Sequence, residues 1–247
     1  MDEGVLVNFI IAGVQKGGTT ALFDYLADEP GVALSQVKEV HFFDDENQDW
    51  SRPDYAAYHA HFSAADGRPC GEATPIYIYW PNSLERIRDY SRAMKLIVLL
   101  RDPVHRAWSH WRMEFARGAE TEPFAWCIRE GRRRLFDAAP WGHHREFSYV
   151  ERGFYGEQME RLFGLFPREQ VLVLKAEDLR ADPAATLAQV RAFVGAPEGP
   201  PPRPRDVHVG RQMDYPSTLT AEDIGFLRRL YARDMARLRE LTGVNYA

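Results

Sequence analysis

Asn8-Phe9-Ile10-Ile11-Ala12-Gly13-Val14-Gln15-Lys16-Gly17-Gly18-Thr19-Thr20 runs straight into a helical pattern from Ala21 to Asp28. A short apolar run, Phe9 to Ala12, breaks into a glycine-rich turn, and the turn delivers hydroxyl residues able to cap a helix. This is the layout of a phosphate-binding loop. Gly17 and Gly18 give access to backbone conformations that let successive N–H groups converge on an anion. Thr19 and Thr20 add hydroxyl donors, and the helix they open turns its positive dipole end to the same point.

The lysine narrows the chemistry. A nucleotide triphosphatase loop reads GxxxxGK[ST], with lysine after the last glycine and a Ser/Thr for magnesium. Gly13 and Gly18 keep that spacing, but Thr19 stands where the lysine belongs and Lys16 lies inside the loop. The loop is therefore a relative of that motif rather than a copy. A P-loop kinase of small molecules is the competing enzyme class, and it needs an acidic residue ending a buried strand; the best strand ends in Arg101 instead. A nucleotide-binding regulator without catalysis is the other alternative.

The chain has 247 residues, 45% of them apolar, enough to fill one large α/β core. A net charge of -5 gives no global basic field, which argues against a nucleic-acid partner and makes any anion site local. Cys70 and Cys127 show no metal-ligand spacing, so neither a metal site nor a disulfide framework is expected, and a reducing cytoplasm fits. No run approaches the ~20 apolar residues of a membrane span, and the early apolar run follows Asp2 and Glu3 rather than a basic segment.

Strand and helix signals alternate along the chain. Val32 to Leu34 reads as a short second strand, followed by Lys38-Glu39-Val40-His41-Phe42-Phe43, where open α/β sheets build their sites. Glu39 and His41, two apart, project to one side if the segment is extended. The stretch from Trp50 to Ala65 has helical period, with Tyr55, Tyr58, His59 and Phe62 packing. Gly71 to Pro81 reads as a turn carrying Tyr77, Tyr79 and Trp80, which line an acceptor pocket or cover the sheet. Lys95 to Leu100 is the clearest buried strand, ended by Arg101-Asp102-Pro103. Asp102 as N-cap and Pro103 at the first position start a helix with Val104, Trp108, Trp111 and Phe115 as apolar stripe and Asp102, Arg106 and Ser109 on a neighbouring face. Arg101 and Ser109 suit a second phosphate. Arg129, Arg132, Arg133 and Arg134 form a run that is either a solvated face or a lid for an anionic acceptor. Gln170 to Leu174 reads as another strand, Asp182-Pro183 opens a helix closed by Gly195, and Thr220 with Asp223 forms a capping box for a last helix. No repeat and no convincing domain boundary appears, so 1–247 is read as a single domain.

Taken together the motifs resemble the sulfotransferases that use 3′-phosphoadenosine 5′-phosphosulfate, within the branch that holds the heparan-sulfate sulfotransferases and their bacterial relatives. Gly13 to Thr20 looks like the family's 5′-phosphosulfate loop, and Lys38 to Phe43 is similar to its catalytic Lys-Glu-x-His-Phe-Phe segment. Arg101 to Ser109 looks like the 3′-phosphate motif, and Gly210-Arg211 with Tyr215-Pro216 resembles the late loop that closes over the nucleotide. One departure is Ala73, where the branch often has a lysine before its Thr-Pro.

The resemblance implies a central parallel sheet flanked by helices, a P-loop-like sulfotransferase fold, and sulfuryl transfer to an acceptor hydroxyl. It implies Lys16, Glu39 and His41 as catalytic residues, with Glu39 the base and His41 its orienter or substitute. Lys16, Gly17, Gly18, Thr19, Thr20, Arg101, Ser109, Gly210 and Arg211 are then the nucleotide-binding set, with no metal. Burial by Phe42 and Phe43 is expected to raise the Glu39 pKa. The aromatics Phe42, Tyr77, Tyr79, Trp80 and Trp111 point to a small aromatic or glycosylated acceptor, or to core. Oligomeric state stays open.

Overall fold

The computed structural model describes residues 6–63, 65–138, 145–203 and 213–246; Gly210 and Arg211 of the expected late loop lie outside the described residues. In chain order the elements begin β1 (Phe9–Gly13), α1 (Thr19–Ala27), β2 (Ala33–Leu34), α2 (Tyr55–His59), β3 (Cys70–Ala73), α3 (Ser83–Tyr90) and β4 (Lys95–Leu100). They continue with α4 (Pro103–Arg117), α5 (Phe124–Cys127), α6 (Tyr155–Leu165), β5 (Val171–Lys175), α7 (Ala176–Ala181), α8 (Pro183–Val194) and α9 (Ala221–Thr242). The chain divides into two compact units, Met1–Leu100 with Leu162–Asp206, and Arg101–Arg161 with Val207–Ala247.

The first unit holds a parallel five-stranded sheet in the order β2-β3-β1-β4-β5. Strands β1 and β4 are unbroken apolar runs because both faces of the sheet are covered. On one face Phe9, Ile11, Ile97 and Leu99 pack with Leu22 and Leu26 of α1, Leu179 of α7 and Leu187 and Val190 of α8. The other face carries an aromatic cluster in which Phe42, Phe43, Tyr58 and Tyr77 meet at ring centroid distances of 4.6–5.6 Å.

Strand β3 takes Gly71 to Ala73 out of the stretch to Pro81 read as a turn, while residues 75–81 do turn. Cys70-Gly71-Glu72-Ala73 has little strand propensity, yet it lies between β1 and β2. Asn8 N donates to Cys70 O at 2.9 Å and Cys70 N to Asn8 Oδ1 at 3.0 Å, so its neighbours impose the conformation. Among the described residues of 50–65 only α2 is helical, with Asp54 as its cap; Tyr58 and Phe62 are buried as expected.

In the second unit Asp102 caps α4, accepting from His105 N at 2.9 Å, with Pro103 in the first turn. Val104, Ala107 and Trp111 form the buried stripe, but Arg106, His110 and Glu114 are buried too, so the helix is enclosed on the face read as polar. Thr220 and Asp223 form the full capping box of α9, and Leu227, Tyr231 and Leu238 face inward.

Candidate active site

In a parallel sheet all strands end on one edge, and in this chain the loops leaving that edge carry the expected chemistry. Strand β1 ends at Gly13, and Val14 N donates to Leu99 O at 3.1 Å, fastening the loop to β4. Gly17 N then donates to Val14 O at 2.8 Å. A Cβ at Gly17 would run into the Leu99 carbonyl oxygen, so only glycine permits this close approach. Gly18 is left-handed at φ 96 and is itself the N-cap of α1, with no side-chain cap. Thr19 and Thr20 are therefore the first two helical residues and do not cap the helix as expected. Their position still places two hydroxyls and the opening amides of α1 where an anion is favoured. Lys16, half-buried, is also left-handed, at φ 67.

Glu39 N donates to Ala73 O at 2.9 Å, which ties the Lys38-to-Phe43 segment to the end of β3. Ala73 pairs with Ile11 of β1, so this anchor stands one strand, about 4.8 Å, from the strand that feeds the glycine loop. The segment is not extended: Glu39 and His41 have φ of 65 and 57. They come together through this turned backbone and not by alternation along a strand.

The side chains form an ordered chain of charge. Lys38 Nζ lies 2.5 Å from Glu39 Oε1, His41 Nε2 3.5 Å from Glu39 Oε2, and His41 Nδ1 3.0 Å from Asp44 Oδ2. Asp44 is fully buried, a member of the site that sequence reasoning missed; its signal is the three-residue step from His41. Burial pushes the Glu39 carboxyl up, as expected, but hydrogen bonds from His41 and the charge of Lys38 outweigh it and hold it at about 2. The expectation of a raised Glu39 pKa is thus reversed. His41 is raised to about 9 by its bonds to Asp44 and Glu39 against the opposing effect of burial. Near neutral pH Glu39 is therefore a carboxylate and His41 an imidazolium.

In the second unit, Arg101 precedes α4 and its carbonyl accepts from Tyr155 OH at 2.9 Å. Ser109 sits half-buried on α4, about 9 Å along the axis from Pro103. Three of the four arginines of the run, read as a solvated face or a lid, are instead held in ion pairs, while Arg133 is exposed. Arg129 pairs with Asp223 at 2.7 Å, Arg132 with Glu151 at 2.8 Å, and Arg134 with the buried Glu120 at 2.8 Å. Glu120 also accepts from Tyr149 OH at 3.0 Å and Cys127 Sγ at 3.2 Å.

The aromatics offered as an acceptor wall, Phe42, Tyr77, Tyr79, Trp80 and Trp111, are all buried core. Cys70 and Cys127 are free buried thiols, pushed up to about 11 and further by burial. Among the described residues no helix is long and apolar enough to cross a membrane.

Comparison with known proteins agrees with this geometry. The family model described as the sulfotransferase domain matches residues 7–203. Human heparan sulfate glucosamine 3-O-sulfotransferase 3A1 is 32% identical over 200 residues, 79% of this chain and 46% of that protein. The membrane-associated sulfotransferase kil1 of Dictyostelium discoideum is 23% identical over 267 residues, 76% of this chain and 56% of that one. The chain thus spans about half the length of the curated relatives it matches. A sulfotransferase structure from Alicyclobacillus acidocaldarius matches with a TM-score of 0.80 and 26% identity over 97% of both chains. With the family's domain matched across most of its length, and with the fold of a solved sulfotransferase over nearly all of it, the chain belongs to the sulfotransferase family of enzymes.

Proposed function

We propose that the protein transfers a sulfuryl group from 3′-phosphoadenosine 5′-phosphosulfate to a hydroxyl of a small-molecule acceptor, without a metal and in a reducing, cytoplasmic setting. The observation that carries this reading is the Lys38–Glu39–His41–Asp44 series, anchored at the end of β3 beside the strand that feeds the glycine loop. A glycosylated acceptor draws support from the relatives, whose names specify heparan sulfate glucosamine, while burial of the aromatics removes the argument for an aromatic one. The matched domain takes in residues of both compact units, which supports treating 1–247 as one catalytic domain.

The donor supplies an activated sulfuryl group on a phosphate leaving group. The cradle fits an anion of that kind, because Gly17 leaves the backbone clear beside Leu99 and Gly18 turns it into the start of α1. Lys16 and the amides of Gly17 to Thr20 balance charge at the 5′ end. Arg101, Ser109, Gly210 and Arg211 hold the 3′-phosphate end. Glu39 takes the acceptor proton. Its low pKa costs basicity, but in a loose transition state the hydroxyl sheds its proton late, after the oxygen has become strongly acidic, so a weak, fully ionised base is adequate. Lys38 and His41 keep it ionised.

His41 as the base is the second reading, favoured by Asp44 on its Nδ1; its raised pKa keeps it protonated below about 9 and weakens that reading. The test is transfer of radiolabelled sulfur from the donor to a panel of phenolic and sugar acceptors. Label recovered on an acceptor hydroxyl is expected; label that stays on nucleotide or leaves only as free sulfate overturns the proposal. Titration with the 3′,5′-bisphosphate nucleotide is expected to lose ~2–5 kcal/mol in Arg101→Ala, the cost of removing one partner of a buried charge pair.

A further inference from the structure

Glu72 lies on β3, fully buried in the aromatic face of the sheet and paired in register with Ile10. An ionised carboxylate in that place is costly unless its oxygens are hydrogen-bonded. Three hydroxyls do so: Thr74 Oγ1 donates to Oε2 at 2.6 Å, and Tyr58 OH and Tyr77 OH donate to Oε1 at 2.9 and 3.1 Å.

A hydroxyl has one hydrogen. Once it is given to Glu72, the oxygen can only accept, and two of these oxygens face the Lys38-to-Phe43 segment. Tyr77 OH accepts from Phe42 N at 3.0 Å and from Phe43 N at 3.4 Å, and Thr74 Oγ1 accepts from His41 N at 3.5 Å. Three consecutive backbone N–H groups, those of residues 41, 42 and 43, are thus held by hydroxyls whose direction Glu72 dictates. They hold the part of the chain where Glu39 and His41 keep left-handed backbone that a side-chain-bearing residue adopts only when its surroundings impose it.

We infer that Glu72 is a positioning residue, which fixes the place of Glu39 and His41 by orienting the Thr74 and Tyr77 hydroxyls toward their backbone. This rests on the reading of Glu39 and His41 as the reacting groups. The charged and titratable neighbours facing Glu72 are Asp44, Tyr58 and Tyr77; burial lifts its carboxyl to about 7, opposed by the bonds from Thr74, Tyr58 and Tyr77.

Glu72→Gln tests the inference, because the amide must donate one hydrogen into a set of three donors and so turns a hydroxyl away from the loop. Assayed above pH 7, where Glu72 is ionised, the folded variant is expected to lose about tenfold to a hundredfold in kcat, the scale of a misplaced reacting group, with the donor KM unchanged. By NMR, the titration midpoint of His41, assigned by its absence in His41→Gln, is expected to fall toward the ordinary histidine range. A wild-type midpoint in Glu72→Gln overturns the inference whether or not turnover falls, since lost turnover alone would mark only general structural damage. If Glu72→Gln does not fold, Tyr77→Phe removes one oriented hydroxyl, and an unmoved His41 midpoint there overturns it. If the wild type transfers no sulfuryl group, the proposed function falls while the His41 midpoint still decides this inference.

Discussion

Lys38 to Asp44 and the arginines from Arg129 to Arg134 are both dense runs of charge, and both contain ion pairs. The pairs differ in reach. Lys38, Glu39, His41 and Asp44 bond to one another across one, two and three residues. Arg129, Arg132 and Arg134 bond across 94, 19 and 14 residues to Asp223, Glu151 and Glu120. Short-range pairs close almost no chain and so contribute little to holding a fold; long-range pairs fasten distant segments. The local series instead sits on left-handed backbone with its histidine exposed, in keeping with its proposed role as the reacting group. Charge density alone does not separate the two roles, whereas the sequence distance of the partners does.

The largest expected effect is that of Glu39→Gln, which keeps the shape and removes the basicity. Transfer should fall ~10²–10⁴-fold with nucleotide affinity within a small factor, measured by initial rates and titration. Near-normal turnover in Glu39→Gln with loss in His41→Ala would move the base to His41.

Arg134→Met should do the opposite, leaving kcat per folded molecule intact while lowering stability. Glu120 would then be buried and charged without its main partner. We expect a loss of roughly 2–3 kcal/mol in urea unfolding, below the ~3–5 of a wholly enclosed pair because Arg134 is 22% exposed. Arg133→Ala, at an exposed neighbour in the same run, should stay within about 0.5 kcal/mol of wild type. Equal losses at Arg133 and Arg134 would erase the distinction drawn between partnered and decorative charge.

The pH dependence separates the clusters further. The His41 pKa is raised from 6.5 to about 9, so its contribution to stability is fully present below 6.5 and is lost as pH rises through 9. The difference in unfolding midpoint between wild type and His41→Gln should shrink over that window. Glu120 is held at about 2, by Arg134 and backbone donors against burial, so its contribution is present above the ordinary 4.5 and lost only as pH falls through 2. Acid titration, not alkaline, should weaken the arginine cluster. The smallest expected effect is that of excess chelator, which should leave turnover within about twofold, because Lys16 and backbone dipoles serve where a kinase would use magnesium. A chelator-sensitive rate would revive the kinase alternative.

What was legible in the sequence was local. β1, β4 and β5 announce themselves as apolar runs, and Asp102-Pro103, Asp182-Pro183 and Thr220-Asp223 mark three helix starts within a residue. β3 was not legible, because Cys70-Gly71-Glu72-Ala73 becomes a strand through its neighbours and not through its own side chains. The glycine loop was read for its chemistry but misread in detail: Gly18, by being left-handed, ends the turn that Thr19 was expected to end. In the Lys38-to-Asp44 segment the residue types were visible and their geometry was not. Alternation along a strand cannot foresee a backbone turned by bonds to Ala73 O, Thr74 and Tyr77. The downward shift of Glu39 was missed for the same reason, since it depends on where Lys38 and His41 finally lie.

Lys16, Glu39 and His41 share one property besides their chemistry: each bears a side chain at a backbone angle where glycine is at ease. Replacing any of them by glycine would relieve on the order of 1 kcal/mol of backbone cost while removing the side chain proposed to react and, at Glu39 and His41, the ion pairs it makes. The left-handed backbone at these three positions is thus kept at a local cost, for side chains that glycine cannot supply.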